Sequence, residues 1–239
     1  MKLLLWNIEW TEKFSKRGRI IQRIISDSGA DVVCLTETTI GLIPEGGHAL
    51  LSDGDFGYPH DGSRRKVAMW SNHEWTMADC SGHPGLPVGR FVSGVTHGIR
   101  FIAVCIPWKD AHVRTGNRNR EPWADHLTYI AHLDYVLGQY CARPEPVCLL
   151  GDYNQRIPRV NQPFNVYDAL TGLLYDRLIC TTVGIKSDCG LPLIDHVSGT
   201  PGLEIQVDSV IPKETGGVKL SDHDGVLCTI QNVPAKKGV

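Results

Sequence analysis

Runs of apolar residues bounded by polar ones give the first outline of this chain. Lys2 to Ile8 is apolar almost throughout, as a strand buried on both faces must be. In Arg19-Ile20-Ile21-Gln22-Arg23-Ile24-Ile25 the apolar positions recur at helical spacing, and Gly29 is placed to end that helix. Asp31 to Leu35 reads as the next buried strand. Strand, helix and strand in this order favour a parallel pair joined by a crossover. Shorter apolar runs follow over Lys66 to Trp70, Arg90 to Thr96 and Arg100 to Ile106, separated by turn-rich segments, and predict antiparallel or mixed pairing. Trp123 to Tyr140 is the longest predicted helix, with Leu127, Ile130, Ala131, Leu133, Val136 and Leu137 on its apolar face. Strands over Pro146 to Leu150, Pro192 to Val197, Glu204 to Ile211 and Gly225 to Ile230 complete a set of roughly nine or ten. The expected class is α/β, two mixed sheets packed together with helices outside.

Composition adds bounds to that outline. With 239 residues, 42% hydrophobic and 21% charged, there is apolar material for one sizeable core, and no low-complexity stretch marks a second one. A single domain over residues 1–232 is expected, followed by a flexible tail over 233–239. The N-terminal apolar stretch, Leu3 to Trp6, is far shorter than the roughly 7–15 residues of a secretory core or the ~20 of a membrane span. The expectation is a soluble, cytoplasmic protein with no membrane insertion, and nothing in the sequence marks an obligate protein partner. The eight cysteines form no CxxC pair and several lie inside strand-like runs, so they read as buried thiols. Asp79, Cys80 and His83 lack the second ligand pair of a structural zinc site.

The polar residues that interrupt or close the apolar runs carry the chemistry. Five segments hold them: Leu5-Trp6-Asn7-Ile8-Glu9, Cys34-Leu35-Thr36-Glu37, Gly151-Asp152-Tyr153-Asn154, Ile194-Asp195-His196 and Ser221-Asp222-His223. Strand ends of one sheet edge would bring these groups together. Glu37 closes a buried run that would not otherwise tolerate a carboxylate, which suits an oxygen ligand for a hard cation such as Mg²⁺; the alternative is a surface glutamate in the loop that follows. Asn7 needs a polar partner inside its strand, and a carboxylate or metal-bound water supplies one. Glu9, two residues on, projects to the same side by strand alternation and either shares the metal or caps the strand. Asp152 and Asn154 set a carboxylate, able to orient or deprotonate water, beside an amide able to donate to a phosphate oxygen. His223, as an imidazolium, stabilises developing phosphate charge when a carboxylate holds it, and Asp195 is the candidate holder. Asp222 is a candidate to complete the metal shell.

The net charge of −2 gives no global positive field. Local clusters exist at Lys13 to Arg23, at Arg64-Arg65-Lys66 and at Arg114, Arg118 and Arg120. They are either separate solvated faces or the rim of a phosphate-binding cleft.

The ordered set WNIE, CLTE, GDYN, IDHV and SDHD resembles the endonuclease/exonuclease/phosphatase superfamily of metal-dependent phosphodiesterases, which includes apurinic endonucleases and pancreatic-type deoxyribonucleases. The resemblance spans Leu3 to Ile230. It implies a four-layer sandwich of two mixed sheets flanked by helices, one catalytic domain, and Mg²⁺ or Mn²⁺ held mainly by Glu37. It further implies in-line attack of water, with Asp152 positioning it, Asn7 and Asn154 binding phosphate or orienting metal ligands, and Asp195 with His223 stabilising the pentacovalent phosphorus. Asp222 would be a metal or outer ligand, and Glu9 would match an acidic metal ligand of the apurinic endonucleases.

Departures from the family pattern narrow the expectation. Val104-Cys105-Ile106-Pro107-Trp108 stands where the apurinic endonucleases carry a Tyr followed by Pro and Asn, which disfavours abasic-site cleavage. Gly151 to Arg156 resembles the GDxNxR element of the inositol phosphatases, but Leu193-Ile194-Asp195-His196 keeps only the aspartate of their second signature. Substrate contacts then fall to the variable segment. Trp108, Lys109, Arg114, Arg118 and Arg120 offer cations for phosphate and an indole for a base, whereas Trp123 either stacks on a base or packs at the start of its helix. The leading expectation is a nuclease acting on DNA or RNA. The alternative is a phosphatase or phosphodiesterase acting on a lipid headgroup or a small phosphorylated molecule.

Overall fold

The computed structural model describes residues 1–232, so the expected tail over 233–239 lies outside the described residues. The first half of the chain forms β1 (Lys2–Asn7), α1 (Lys16–Ser28), β2 (Val32–Thr39), β3 (His48–Leu51), β4 (Arg64–Ser71), β5 (Thr76–Asp79), β6 (Phe91–Thr96) and β7 (Ile99–Cys105). Then follow α2 (Ala124–Cys141), β8 (Val147–Asp152), α3 (Phe164–Leu174), β9 (Ile179–Cys180) and β10 (Asp195–Gly199). The last elements are β11 (Leu203–Ile211), β12 (Glu214–Thr215), β13 (Val218–Lys219) and β14 (Gly225–Asn232).

Two six-stranded sheets form, in the orders β11-β14-β1-β2-β4-β3 and β5-β6-β7-β8-β10-β9, with β12 and β13 as a separate hairpin. The opening unit is the parallel crossover the pattern predicts. β1 pairs with β2 from Leu3 opposite Val32 to Asn7 opposite Thr36, and α1 connects them. Ser15 caps that helix by accepting from the Gly18 amide, and Gly29 ends it at φ 60 with its N–H on the Ser26 carbonyl. The second sheet repeats the device: β7 and β8 are parallel, joined through α2.

Three apolar layers fix the stack. Leu3, Leu5, Cys34, Val67 and Met69 of the first sheet meet Phe101, Ala103, Cys148, Leu150 and Val197 of the second. On the outer face of the first sheet, Leu4, Trp6, Val33 and Leu35 pack on Ile21 and Ile25 of α1. Behind the second sheet, Ile102, Val104 and Leu149 pack on Ile130, Leu133 and Leu137 of α2 and Leu170 and Leu173 of α3. Helix, sheet, sheet and helices make four layers. β1, β2, β7 and β8 are covered on both sides, which is why their sequences run apolar without alternation.

Some elements depart from the expectation. α3 has no side-chain cap hydrogen bond and begins after Pro163, so no N-terminal signal marks it. β3 and β5 are edge strands of four residues each, largely exposed, and lack an apolar alternation. β10 begins at Asp195, not Pro192, because Leu193 donates to the Ile185 carbonyl outside the sheet. Cys34, Cys105, Cys148 and Cys228 are buried, as read; Cys80 and Cys189 are exposed, and all eight are free. Among the described residues, no helix is long and apolar enough to cross a membrane.

Candidate active site

The central strands of both sheets end at one edge, and their polar ends meet there. Asn7 is the last residue of β1, Glu37 lies in β2, Asp152 ends β8 and Asp195 opens β10. Asp195 lies directly opposite Asp152 in the antiparallel ladder. The approach of β8 to β7 explains the glycine of Gly151-Asp152-Tyr153-Asn154. Gly151 has φ 136, and a Cβ there would lie 2.0 Å from the Val104 carbonyl oxygen.

Asp152 is the hub. Its Oδ2 accepts from Asn7 Nδ2 at 3.1 Å and from Asn154 Nδ2 at 2.9 Å, and its Oδ1 accepts from the Asn154 amide at 2.9 Å. Asn154, at φ 54, also donates from Nδ2 to the Ile106 carbonyl at 2.8 Å. Burial pushes the Asp152 carboxyl up, the His223 imidazolium pulls it back and Asp195 and Glu37 raise it again, leaving it at about 7.

His223 arrives on the turn before β14. Trp6 Nε1 donates to the His223 carbonyl at 3.2 Å, and Ser221 Oγ donates to the Asn7 carbonyl at 2.6 Å while accepting from the His223 amide at 3.1 Å. Gly225 lets this turn lie against Trp6, since a Cβ there would stand 2.9 Å from the indole. His223 Nδ1 donates to Asp195 Oδ2 at 2.5 Å. Burial pulls the imidazole down, but Asp195 and Asp152 more than offset it and push it up to about 10, so the ring is charged at neutral pH. Its Nε2 lies 3.8 Å from Asp222 Oδ1, at the exposed side.

Glu37 sits at φ 46, a left-handed conformation for a non-glycine residue, and its carbonyl accepts from the Trp10 amide at 2.6 Å. Its Oε1 accepts from Lys66 Nζ at 2.5 Å. A cavity of about 250 Å³ collects Asn7, Glu37, Asp152, Asn154, Asp222 and His223, together with Trp108. These are hard oxygen donors beside one cationic imidazole, a set that fits Mg²⁺ or Mn²⁺. The tightest group, Asp152, Asp195 and His223, has ligand atoms within 4.8 Å of one another. We read it as a charge-holding triad and not as a metal shell, because an imidazolium whose Nδ1 proton is held by Asp195 has no lone pair to offer. An ion in this cavity would find its oxygens on Glu37, with Asn7 and Asp222 beside it.

Glu9 is a correction. The strand ends at Asn7, and Glu9 and Trp10 have φ 47 and 54, so the two-residue alternation no longer holds. The Glu9 carboxylate turns to Arg17 at 3.0 Å and Lys219 at 2.8 Å, outside the cavity lining. The proposed clamps also separate. Arg118 lies over Trp108 at 4.8 Å and lines a second cavity of about 240 Å³ that shares Glu37, Lys66 and Trp108 with the first. Arg114 and Arg120 instead line a larger cavity of about 540 Å³ beside Pro84 and His132, and Arg120 pairs with Asp125 at 3.3 Å. Lys109 is exposed, with its Nζ 3.9 Å from Asp110, and lines neither of the two site cavities. Trp123 caps α2 and packs edge-on to His126 at 4.9 Å. Asp79, Cys80 and His83 form no ligand cluster; Asp79 accepts from Tyr140 at 2.7 Å.

Several residues at the site were not singled out from the sequence. Lys66 and Arg90 are buried cations lining the first cavity, and a cation at the start of a buried run was the available signal. Gln155, next to Asn154, is gripped by two buried imidazoles. Its side-chain amide donates to His126 Nε2 at 2.7 Å, and its carbonyl accepts from His196 Nε2 at 3.0 Å.

The profile of the Endonuclease/Exonuclease/phosphatase family matches residues 4–223. No curated protein matches the chain. Among solved structures, it is similar to the 3'-5' exonuclease of Neisseria meningitidis, at 18% identity and TM-score 0.70 over 97% of this chain and 100% of that one. A 3' phosphatase from Neisseria bound to product DNA hairpin is similar at 19% and 0.68, over 97% and 99%. An AP endonuclease from Archaeoglobus fulgidus is similar at 17% and 0.67, over 97% and 99%. At these identities the likeness is one of fold.

Proposed function

The chain belongs to the endonuclease/exonuclease/phosphatase family, and on that footing we propose that it is a divalent-metal-dependent phosphodiester hydrolase, a nuclease cleaving DNA or RNA by in-line attack of water. The observation that carries this reading is the meeting of Glu37, Asp152, Asn154 and His223 in one cavity, with the His223 ring held by Asp195.

Each side chain then has a task. Glu37, with Asn7 and Asp222, holds Mg²⁺ or Mn²⁺, which when bound supplies a Lewis acid for a phosphate oxygen. Asp152, held by Asn7 and Asn154, orients a water and takes its proton; a carboxyl at about 7 suits a general base. His223 keeps Nε2–H available to a phosphate oxygen because Asp195 holds the Nδ1 side, so charge gathering on phosphorus meets a fixed donor. Asn154 adds an amide at the same edge.

The relatives described as a 3'-5' exonuclease, as bound to product DNA hairpin and as an AP endonuclease support DNA as the first substrate to test. Trp108 and Arg118 are the proposed contacts for base and phosphate. A second reading, a phosphatase or phosphodiesterase for a lipid headgroup or small phosphorylated molecule, is favoured by one observation. Arg114 and Arg120 turn to another cavity, which leaves a short cationic rim for a polynucleotide. Eight unpaired thiols suit a reducing, cytoplasmic setting. The test is a panel of labelled single- and double-stranded DNA, RNA and small phosphoesters with Mg²⁺ or Mn²⁺. Hydrolysis of a polynucleotide supports the nuclease reading, cleavage of small esters alone supports the second, and hydrolysis of none removes both.

A further inference from the structure

Lys66 is out of place for a structural lysine. It lies in the buried part of β4, 4% exposed, and its ammonium reaches the cavity edge from which Glu37 faces inward. Among the described residues, Glu37 Oε1 is its one carboxylate partner, at 2.5 Å. Around it stand three aromatic rings: Trp10 with its centroid at 4.9 Å, Tyr58 at 5.3 Å and Phe56 at 5.9 Å. Ring faces attract a cation that has lost its water, so this cage supplies what burial takes away. Trp10 is itself fixed, stacked on Phe56 at 5.5 Å and donating its amide to the Glu37 carbonyl. One carboxylate oxygen and three rings therefore surround the Lys66 ammonium beside the principal candidate metal ligand.

The charge of the centre makes sense on this basis. Four carboxylates, Glu37, Asp152, Asp195 and Asp222, face three protein cations, Lys66, Arg90 and His223. One divalent ion turns that balance positive enough to meet a phosphodiester monoanion. A second would have to take Glu37 Oε1 away from the ammonium.

We propose that Lys66 is the built-in cation of this centre: its caged ammonium occupies one oxygen of Glu37, which a second metal ion would need, and so limits the protein to a single divalent ion. The proposal rests on the metal-dependent reading above. It assigns Lys66 a positioning role toward Glu37.

The test is Mn²⁺ titration of the purified protein, read by the electron paramagnetic resonance of free Mn²⁺ and independent of activity. The wild type is expected to take one equivalent. Lys66→Met, which keeps the bulk and removes the charge, is expected to bind Mn²⁺ roughly tenfold or more tightly and to take a second equivalent. Lys66→Arg keeps the charge and is expected to remain at one. Two equivalents in the wild type, or a Lys66→Met protein that still takes only one, overturns the proposal. If Lys66→Met does not fold, the wild-type stoichiometry decides, two equivalents overturning the role of Lys66. A wild type that binds no Mn²⁺ at all undoes the metal-dependent reading itself, whereas an active wild type with two ions removes only the role of the lysine.

Discussion

Acid should loosen this site through the two buried histidines that hold its supports. His126 and His196 clasp Gln155 as neutral rings: His126 donates from Nδ1 to the Pro107 carbonyl at 2.7 Å and accepts at Nε2, while His196 donates from Nε2 and accepts from Thr182 at Nδ1. A proton on His126 Nε2 would face the N–H of the Gln155 amide. Burial pulls both rings down, against the pull of their carbonyl partners, from 6.5 to about 4. The folded value is depressed, so the stabilising term is present above pH 6.5, where neither state is charged, and is lost as pH falls toward 4 because the unfolded chain takes the proton first. At pH 5 each ring stands about 1.5 pH units below its unfolded value, which at ~1.4 kcal/mol per unit costs about 2 kcal/mol apiece. Asp152 and His223 are shifted upward and oppose this trend, so the assay is a double difference in which they cancel. Urea unfolding of the wild type and of His126→Gln is measured at pH 7 and pH 5. The wild type should lose about 2 kcal/mol more than the variant between these values. Equal losses in the two proteins would mean that the folded ring titrates normally, and the argument from burial would fail.

Other expectations follow from single contacts. His223→Ala should lower the rate on any substrate the wild type hydrolyses by at least about 10²-fold, with far-ultraviolet circular dichroism unchanged; a rate within a few fold of wild type contradicts its role. Gly151→Ala places a Cβ against the Val104 carbonyl at a φ of 136 and should destabilise by more than about 2 kcal/mol in urea. A smaller loss would show that β7 and β8 can part cheaply. Arg118→Ala should raise KM on a polynucleotide and flatten its salt dependence, while Arg114→Ala should leave both unchanged, because only Arg118 lines a cavity shared with the site.

Much of the layered core was legible because β1, β2, β7 and β8 are buried on both faces, so Leu3, Val33, Ile102 and Leu149 stand in unbroken apolar runs. Polar residues that end such runs, Asn7, Glu37 and Asp152, are conspicuous for the same reason. What the sequence hid lies where the backbone leaves a regular period. Glu9 follows a strand end and adopts a positive φ, so counting by twos aims its carboxylate at the wrong neighbours. Arg114, Arg118 and Arg120 are close in sequence, but their loop has no period, and it sends one toward Trp108 and two toward the larger cavity. Lys66 was hidden by its neighbours: Arg64 and Arg65 made it look like part of a solvated cluster, and only the fold shows the Trp10, Phe56 and Tyr58 rings that let it go inside. α3 had no cap hydrogen bond to announce it.

The central claim is that Glu37 anchors a divalent ion required for phosphoester hydrolysis, and Glu37→Gln measured beside the wild type tests it most directly. Both proteins are melted with and without Mn²⁺ and then assayed on the substrate that the panel identifies, with and without EDTA. The account predicts a wild type that Mn²⁺ stabilises, by about 2.7 kcal/mol at a hundredfold excess over Kd, and that EDTA silences, and a variant that loses both the stabilisation and the activity. Hydrolysis that survives EDTA, or a Glu37→Gln protein that keeps the full rate and the full Mn²⁺ shift, would contradict it.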